Sequence, residues 1–320
     1  AVLTKDVVKS SAIEGEQLDE QEVRSSIARK LGLDVAGLIP AGRNVDGVVE
    51  MMIDATKNYS EELTRERLFD WHASLFPTGR SGMHKITVGS WRLESSGAMQ
   101  VVSGPIGSET VHFVAPAAPR LEGEMKAFLS WFATSNNTDP VIKAAIAHLW
   151  FVTLHPFDDG NGRLARAVSD YALAQGEQQS IRYYAMAASI MENRKGYYEI
   201  LERTQISDLD ITDWMSWFLE TLKHTLETAL VRIDIVLRKS RFWQLHSQDG
   251  LKPEQTKVLN CLLDAGPGGF EGGLTAGKYQ RMAKVSKATA TRHIIVLLEK
   301  LCICKLAGGG RSTHYEINWP

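Results

Sequence analysis

The run from His155 to Arg166 (HPFDDGNGRLAR) forces a helix, a tight loop and a second helix on the middle of this chain. Residues 141–154 before it (VIKAAIAHLWFVTL) carry helical spacing and stop at His155, because Pro156 excludes its predecessor from the right-handed helical region. Gly160-Asn161-Gly162 permits backbone angles closed to other residues, and residues 163–174 (RLARAVSDYALA) resume the helical pattern. At average residue usage, the constrained positions of the run would arise by chance with a probability on the order of 10⁻⁹. Loop amides aimed at a helix N-terminus make an anion cradle.

Arg163 and Arg166 share one face of the second helix's first turns, where cations oppose the helix dipole and need an anion to offset them. Asp159 is an oxygen ligand suited to Mg²⁺ when phosphates supply further ligands. His155 titrates near neutrality and can take a proton from an attacking hydroxyl. Phe157, apolar in a polar loop, anchors that loop in the core. Singly, each residue also fits a Gly-rich loop with a capping Asp and solvated arginines; the set at this spacing points to phosphates.

The run resembles the full signature of the Fic family, H-P-F-x-[D/E]-G-N-G-R-x-x-R, at every fixed position. Most characterised members transfer AMP from ATP to a hydroxyl side chain of a protein. The resemblance implies a mainly α fold, a Fic-type helical core with a β-hairpin flap, and an adenylyltransferase that uses ATP and Mg²⁺. It makes His155 the general base and Asp159 the Mg²⁺ ligand. Asn161 and the amides of Gly160 and Gly162 would hold the α- and β-phosphates, Arg163 phosphate oxygens, and Arg166 the γ-phosphate. Such chemistry is mostly positioning and charge neutralisation. Family relatives differ in donor, and removal of AMP stays open.

Residues 88–92 (VGSWR), 98–104 (AMQVVSG) and 111–116 (VHFVAP) resemble the family's flap, with Ser103 and Gly104 beside the nucleotide. A hairpin from Ala98 to Pro116 could clamp an extended segment of a target protein by strand addition, or could be an ordinary solvent-facing hairpin. Downstream, Tyr197 and Leu201 match the positions that the family sets against adenine; aromatic and leucine residues at helical spacing are also ordinary core.

Near the N-terminus, residues 10–15 (SSAIEG) match the family's inhibitory pattern [S/T]-x-x-x-E-[G/N], carried here by Ser10, Glu14 and Gly15. Average composition alone predicts about 0.3 matches in a chain this long. The resemblance implies an inhibitory helix in which Glu14 pairs with Arg166. A guanidinium can fork onto a carboxylate or a phosphate, not both. The alternative is a capping-box-like helix start with Glu14 exposed. Because Ala1 falls inside a helical pattern, a native part preceding it is expected.

With 320 residues, 44% of them hydrophobic, the chain can hold about two domains. A net charge of −2 argues against a protein that coats nucleic acid or membranes as a whole, and no run reaches membrane-spanning length. Cys261, Cys302 and Cys304 show no metal or redox spacing and read as reduced, mostly buried thiols of a cytoplasmic protein. The histidines form no H-E-x-x-H cluster, so a protein-bound zinc is not expected.

Helical patterns cover 16–31, 121–134 and 211–244, with Trp214 and Trp217 at core spacing. Residues 247–250 read as a linker. Residues 251–320 carry ten Lys+Arg against five Asp+Glu, about +5, which leaves about −7 on the remainder. In that tail, helices over 253–264, 274–284 (Thr275 as N-cap) and 286–301 precede strands at 302–306 and 314–317 around a Gly-rich turn. This resembles a winged helix, with Lys287, Thr289, Thr291, Arg292 and Arg311 as candidate DNA contacts. Winged helices also dock proteins or form homodimers. The organisation is then an inhibitory segment over 1–35, a catalytic domain over 36–246 and a winged helix over 251–320. The competing function is a winged-helix regulator that senses nucleotide, but a sensor has no use for a base beside the phosphates.

Overall fold

Helical periodicity dominates the sequence, and the computed structural model, which describes residues 2–33, 37–103, 108, 110–135, 137–266, 269–270, 272–306 and 313–319, is mainly α. The chain opens with α1 (Val2–Ile13), α2 (Glu20–Lys30), α3 (Arg43–Lys57) and α4 (Arg65–Leu75). Two antiparallel hairpins follow, β1 (Arg80–Ser81) with β2 (His84–Lys85), and β3 (Gln100–Ser103) with β4 (Thr110–Val114). Then come α5 (Leu121–Thr134), α6 (Pro140–Leu154), α7 (Asn161–Glu177), α8 (Met186–Glu192), α9 (Arg194–Gln205) and α10 (Thr212–Leu245). The remainder holds α11 (Pro253–Asp264), α12 (Ala276–Ala283), α13 (Lys287–Glu299) and the antiparallel pair β5 (Ile303–Lys305) and β6 (Tyr315–Ile317). Packing divides the chain into two units, Ala1–Leu226 and Glu227–Pro320.

The first unit is built on α6 and α7. Both are lined with small buried residues, Ala144, Ala145 and Ala147 on one and Ala165, Ala167 and Ala172 on the other, so their backbones approach closely. A Cβ on Gly176 would lie 2.1 Å from the Cβ of Pro140, which sets the end of α7 on the start of α6. The two helices therefore run antiparallel and return the chain to the loop between them. Trp214 of α10 is fully buried and donates Nε1–H to the Ala145 carbonyl at 2.9 Å. Buried Phe128, Phe151 and Phe157 each contribute roughly 1.5–3 kcal/mol, enough to hold this region rigid.

The helix expected over 16–31 begins only at Glu20. Asp19 caps it, accepting from the amides of Gln21 and Glu22 at 2.8 and 2.9 Å, while Gly15 at φ 87° turns the chain out of α1. The helix expected from Arg163 begins at Asn161. Only Gly160 takes a left-handed backbone, at φ 81°, and Gly162 is helical. Residues 88–92 form no strand.

In the second unit, Thr275 and Ser286 cap α12 and α13 by accepting from the amides of Lys278 and Thr289, each at 3.2 Å. Phe242, Leu259, Leu262, Tyr279, Ile294, Leu297, Ile303 and Ile317 form its core. Lys287, Thr291 and Arg292 are exposed on α13 and Thr289 is half-buried; Arg311 lies outside the described residues. Cys302 is buried, but Cys304 is only partly so and Cys261 is exposed, contrary to the expectation of mostly buried thiols. Among the described residues no helix is long and apolar enough to cross a membrane.

Gly47 marks the closest approach of α3 to the end of α4. A Cβ there would fall 1.7 Å from the Ser74 carbonyl oxygen, so Gly47→Ala is expected to destabilise the protein by about 1–3 kcal/mol. A lowered urea midpoint for the variant measures this.

Candidate active site

His155 ends α6 in the left-handed region, at φ 49° and ψ 56°. A residue before proline ordinarily avoids the helical region by becoming extended; here a left-handed turn does so while redirecting the chain. A non-glycine residue held there costs on the order of 1–2 kcal/mol, so its surroundings must impose it. Phe157 is fully buried and stacks on His72 with ring centroids 4.1 Å apart and planes 10° apart. Asn161 closes the loop on itself: its Oδ1 accepts from the Phe157 amide at 3.0 Å and its Nδ2 donates to the Phe157 carbonyl at 2.8 Å. The Asn161 side chain thus braces the loop. Arg92 is buried and donates from Nε to the His155 carbonyl at 2.8 Å, while its amide donates to the Pro156 carbonyl at 2.9 Å.

His72 holds the other side. Its Nδ1 accepts from the Gly89 amide at 3.3 Å, so its Nε2 carries the proton donated to the Asp159 carbonyl at 3.2 Å. Burial pushes its pKa down to about 4, keeping the ring neutral.

The His155 ring has a defined tautomer. Its Nδ1 lies 3.2 Å from the Val152 carbonyl, which can only accept, so Nδ1 bears the proton and Nε2 the free lone pair. Burial, with a smaller contribution from Arg92, lowers the pKa of His155 below its ordinary value, against opposing effects of the Val152 carbonyl, Glu14 and Asp159. Neutral at pH 7, His155 has the form that a general base requires. Nearby, Asp159 accepts from the Gly160 amide at 2.5 Å through Oδ1 and from the Ser81 hydroxyl through Oδ2. Each oxygen keeps a lone pair for a divalent cation.

Both arginines of the run are paired with carboxylates from the N-terminal segment. Arg166 is 3% exposed; its Nη2 lies 2.7 Å from Glu14 Oε1 and 2.9 Å from the Ser10 carbonyl, and its Nε donates to Ser10 Oγ at 2.9 Å. Burial alone would lower the pKa of Arg166, but Glu14, with Tyr197 and Tyr198, raises it above the ordinary value. Arg163 donates from Nη1 to Glu16 Oε2 at 2.6 Å, with its guanidinium 5.1 Å from the centre of the Phe76 ring. Arg166 Nη1 and Arg163 Nε are buried without a hydrogen-bond partner.

Residues 10–15 form a helix end, which displaces the helix-start alternative. The Glu14 amide donates to the Ser11 carbonyl at 3.0 Å, and Gly15 reverses the chain at φ 87°. Ser10 meets Arg166 from the last turn of α1, and Glu14 reaches it from just beyond. The Glu14 carboxylate lies over the N-terminus of α7, where a Cβ on Gly162 would fall 2.2 Å from Oε1. Gly162 is small to admit that anion, not to adopt a special backbone angle.

Tyr197 and Leu201 are 1% and 5% exposed. The Tyr197 hydroxyl meets His148 Nε2 at 2.9 Å, so both residues lie in the core, not on an open face. Tyr197 nevertheless lies beside Arg166, and Tyr198 also reaches the site, its hydroxyl 3.1 Å from the Ile13 carbonyl and 3.3 Å from Glu14 Oε2. Ser103 ends β3; Gly104 and the Ser103 side chain lie outside the described residues. The β3–β4 hairpin forms with a register shift between Val101 and Val102, and leaves Val102, Val111 and Val114 exposed.

Sequence reading missed His72, Arg92, Ser81 and Glu16. The first three act from 63 to 87 residues away, without periodic signal. Glu16 had one, since Glu14 and Glu16 form an acidic pair that could face an arginine pair.

The Fic/DOC family model matches residues 62–173, which contain the whole loop and most of α7. Residues 62–173 are a Fic/DOC domain. A second model, described as a domain of unknown function (DUF4172), matches residues 1–33, the segment that supplies Glu14 and Glu16. The protein adenylyltransferase Fic of Nematostella vectensis is 23% identical over 233 residues, which is 72% of this chain and 49% of that protein. The protein adenylyltransferase fic-1 of Caenorhabditis elegans is 27% identical over 180 residues, 55% of this chain and 32% of that protein. The chain thus spans half or less of the length of these curated relatives. A Fic family protein from Desulfovibrio desulfuricans superposes over 98% of this chain and 86% of its own at a TM-score of 0.54 and 19% identity. A Fic domain containing signaling protein from Bacteroides thetaiotaomicron does so over 71% and 84% at a TM-score of 0.51, again at 19% identity. These two likenesses are of fold.

Within the Fic domain, nitrogen-15 NMR is expected to show His155 as the Nδ1–H tautomer at pH 7, titrating below the ordinary 6.5 given by burial's downward shift. An imidazolium signal for His155 at pH 7 would contradict the geometry.

Proposed function

We propose that this chain is a protein adenylyltransferase that moves AMP from ATP to a Ser, Thr or Tyr hydroxyl of a target protein, and that its N-terminal segment holds it inactive. The observation that carries this is the pairing of both arginines on the first turns of α7 with carboxylates, beside a neutral histidine whose Nε2 is free. The carboxylates occupy a place suited to phosphates. The Glu14 oxygen already sits at a helix N-terminus over a residue without a Cβ, and Arg166 Nη1 and Arg163 Nε still want acceptors. A triphosphate offers more oxygens than a carboxylate can.

In the transfer, His155 Nε2 takes the proton of the target hydroxyl as its oxygen bonds to the α-phosphorus. The bond from that phosphorus to the bridging oxygen of the β-phosphate breaks, and pyrophosphate leaves. Arg163, Arg166 and the first amides of α7 hold the negative charge throughout. Asp159, braced by Ser81, would hold Mg²⁺, which when bound neutralises charge between phosphates. The β3–β4 hairpin offers a clamp for the target segment.

Inhibition is competition for the arginines. Stripping Glu14 from buried Arg166 without replacement costs about 3–5 kcal/mol, so the carboxylate yields only to another anion. Glu14 and Glu16 stand two residues apart, so displacement of one segment frees Arg166 and Arg163 together. Residues 1–35 then act as the inhibitory segment, 36–246 as the catalytic domain and 251–320 as a winged helix, the end of α10 with Phe242 packing into the second unit.

Intact-protein and peptide mass spectrometry after incubation with ATP and Mg²⁺ tests this. Glu14→Gly is expected to raise the AMP adduct on the protein or a target at least tenfold, and adding His155→Ala to abolish it. Equal adduct for wild type and Glu14→Gly would remove the inhibition; an undiminished adduct without His155 would remove the base. Glu16→Gln is expected to give a smaller rise, about fivefold, as suits a partly exposed ion pair worth ~1 kcal/mol. No change on that substitution would confine the clamp to Glu14.

A further inference from the structure

His246, Asp249 and Cys302 bring three kinds of metal-ligating atom within 4.8 Å of one another in the second unit. His246 follows the last residue of α10, and the Asp249 amide donates back to the His246 carbonyl at 3.3 Å, closing a turn that gathers both side chains. Cys302 arrives from 56 positions further on, immediately before β5, and is fully buried. Its backbone is fixed on both sides: the Cys302 amide donates to the Leu297 carbonyl at 2.9 Å, and its carbonyl accepts from the Asn318 amide at 3.1 Å. The His246 ring is held against Phe242, with centroids 4.4 Å apart.

Cys302 Sγ lies 3.5 Å from His246 Nδ1 and 3.8 Å from Asp249 Oδ2, and Nδ1 lies 2.6 Å from Oδ2. A tetrahedral zinc with bonds of about 2.3 Å to sulfur and about 2.0–2.1 Å to nitrogen or oxygen sets sulfur edges of roughly 3.6 Å and a nitrogen–oxygen edge of roughly 3.3 Å. The two sulfur edges are in place. The third opens by about 0.7 Å when a metal replaces the proton shared by His246 and Asp249.

We propose that His246, Asp249 and Cys302 form a binding site for a zinc-class divalent cation that clips the end of α10 and the following turn to the start of β5. One sulfur, one imidazole nitrogen and one carboxylate oxygen form a borderline-soft set that suits zinc or cobalt and does not suit magnesium or calcium. On binding, Cys302 gives up its thiol proton to solvent and His246 binds as neutral imidazole through Nδ1, so affinity rises with pH. Three protein ligands leave the fourth position to water. The site stands apart from Asp159 in sequence, in structural unit and in ligand chemistry, and does not depend on the proposed transferase activity. The linear sequence shows no zinc pattern because its third ligand comes from a distant strand.

The test uses the full-length protein, stripped with a chelator and titrated with Co²⁺ and then Zn²⁺. One Co²⁺ per chain is expected to produce a thiolate-to-cobalt charge-transfer band in the near ultraviolet with tetrahedral bands in the visible. Zinc should bleach both and raise the melting temperature. Cys302→Ser should abolish the charge-transfer band, and Asp249→Ala should weaken zinc binding at least about tenfold, whereas Cys261→Ser and Cys304→Ser should change neither. Absence of the charge-transfer band at stoichiometric Co²⁺, or its persistence in Cys302→Ser, overturns the proposal. Should Cys302→Ser lose its far-ultraviolet circular dichroism, Asp249→Ala decides, and undiminished zinc affinity there overturns it as well.

Discussion

The guanidinium of Arg166 is buried at the N-terminal end of α7, where the helix dipole is also positive, and such a charge must be given an anion. Much of the local design follows from that need. Ser10 lies on the last turn of α1 so that its hydroxyl and carbonyl meet the guanidinium; Gly15 ends the helix so that Glu14 can turn inward; Gly162 lacks a Cβ so that the Glu14 carboxylate can reach the helix end. The placement of α1 and the occupation of the anion site are one structural fact.

The loop between α6 and α7 supplies the complementary requirement, which is rigidity. His155 is held in a backbone region that costs energy, and the restraints on the loop it opens come from different elements: Arg92, ahead of β3, on His155, His72 of α4 on Asp159, and Asn161 of α7 on Phe157. Phosphoryl-type chemistry asks for donors and a base already in place, because reorganising them during the reaction would add to the barrier. The stacked pair of His72 and Phe157 makes that loop part of the hydrophobic core. A neutral His72 avoids adding a cation where Arg163 and Arg166 already stand.

The helix, loop and helix around His155 were legible in the sequence because they are compressed into neighbouring positions, and helix ends at Thr275, Ser286 and His155 were legible because caps and proline act locally. What was illegible acts over distance. Cys302 meets His246 across 56 residues and leaves no spacing in the chain, while Glu16 meets Arg163 across 147 and is signalled only by its place beside Glu14. The contribution of Tyr198 was illegible for another reason: adjacent residues on a helix point in different directions, and the sequence does not say which of two tyrosines faces the core. The structure buries Tyr197 against His148 and leaves Tyr198 beside Glu14. The role of Gly162 inverted on the same ground, since its constraint is a neighbour from residue 14 and not its own backbone.

A carboxylate satisfies the arginines incompletely, and that incompleteness bears on how the proposed inhibition could be reversed. Arg166 Nη1 and Arg163 Nε have no acceptor while Glu14 and Glu16 hold the other nitrogens. Each unmet buried donor costs on the order of 1–3 kcal/mol, which lowers the net stability of the closed arrangement without opening it. A triphosphate that met those donors would recover that energy in addition to replacing the two ion pairs. The coupling is reciprocal: whatever loosens the segment carrying Glu14 and Glu16 strengthens the binding of the nucleotide by the same factor, and nucleotide engaged by both arginines loosens the segment. On the proposed reading, the two charges on one short turn leave together, making release a single step and not a gradual fraying.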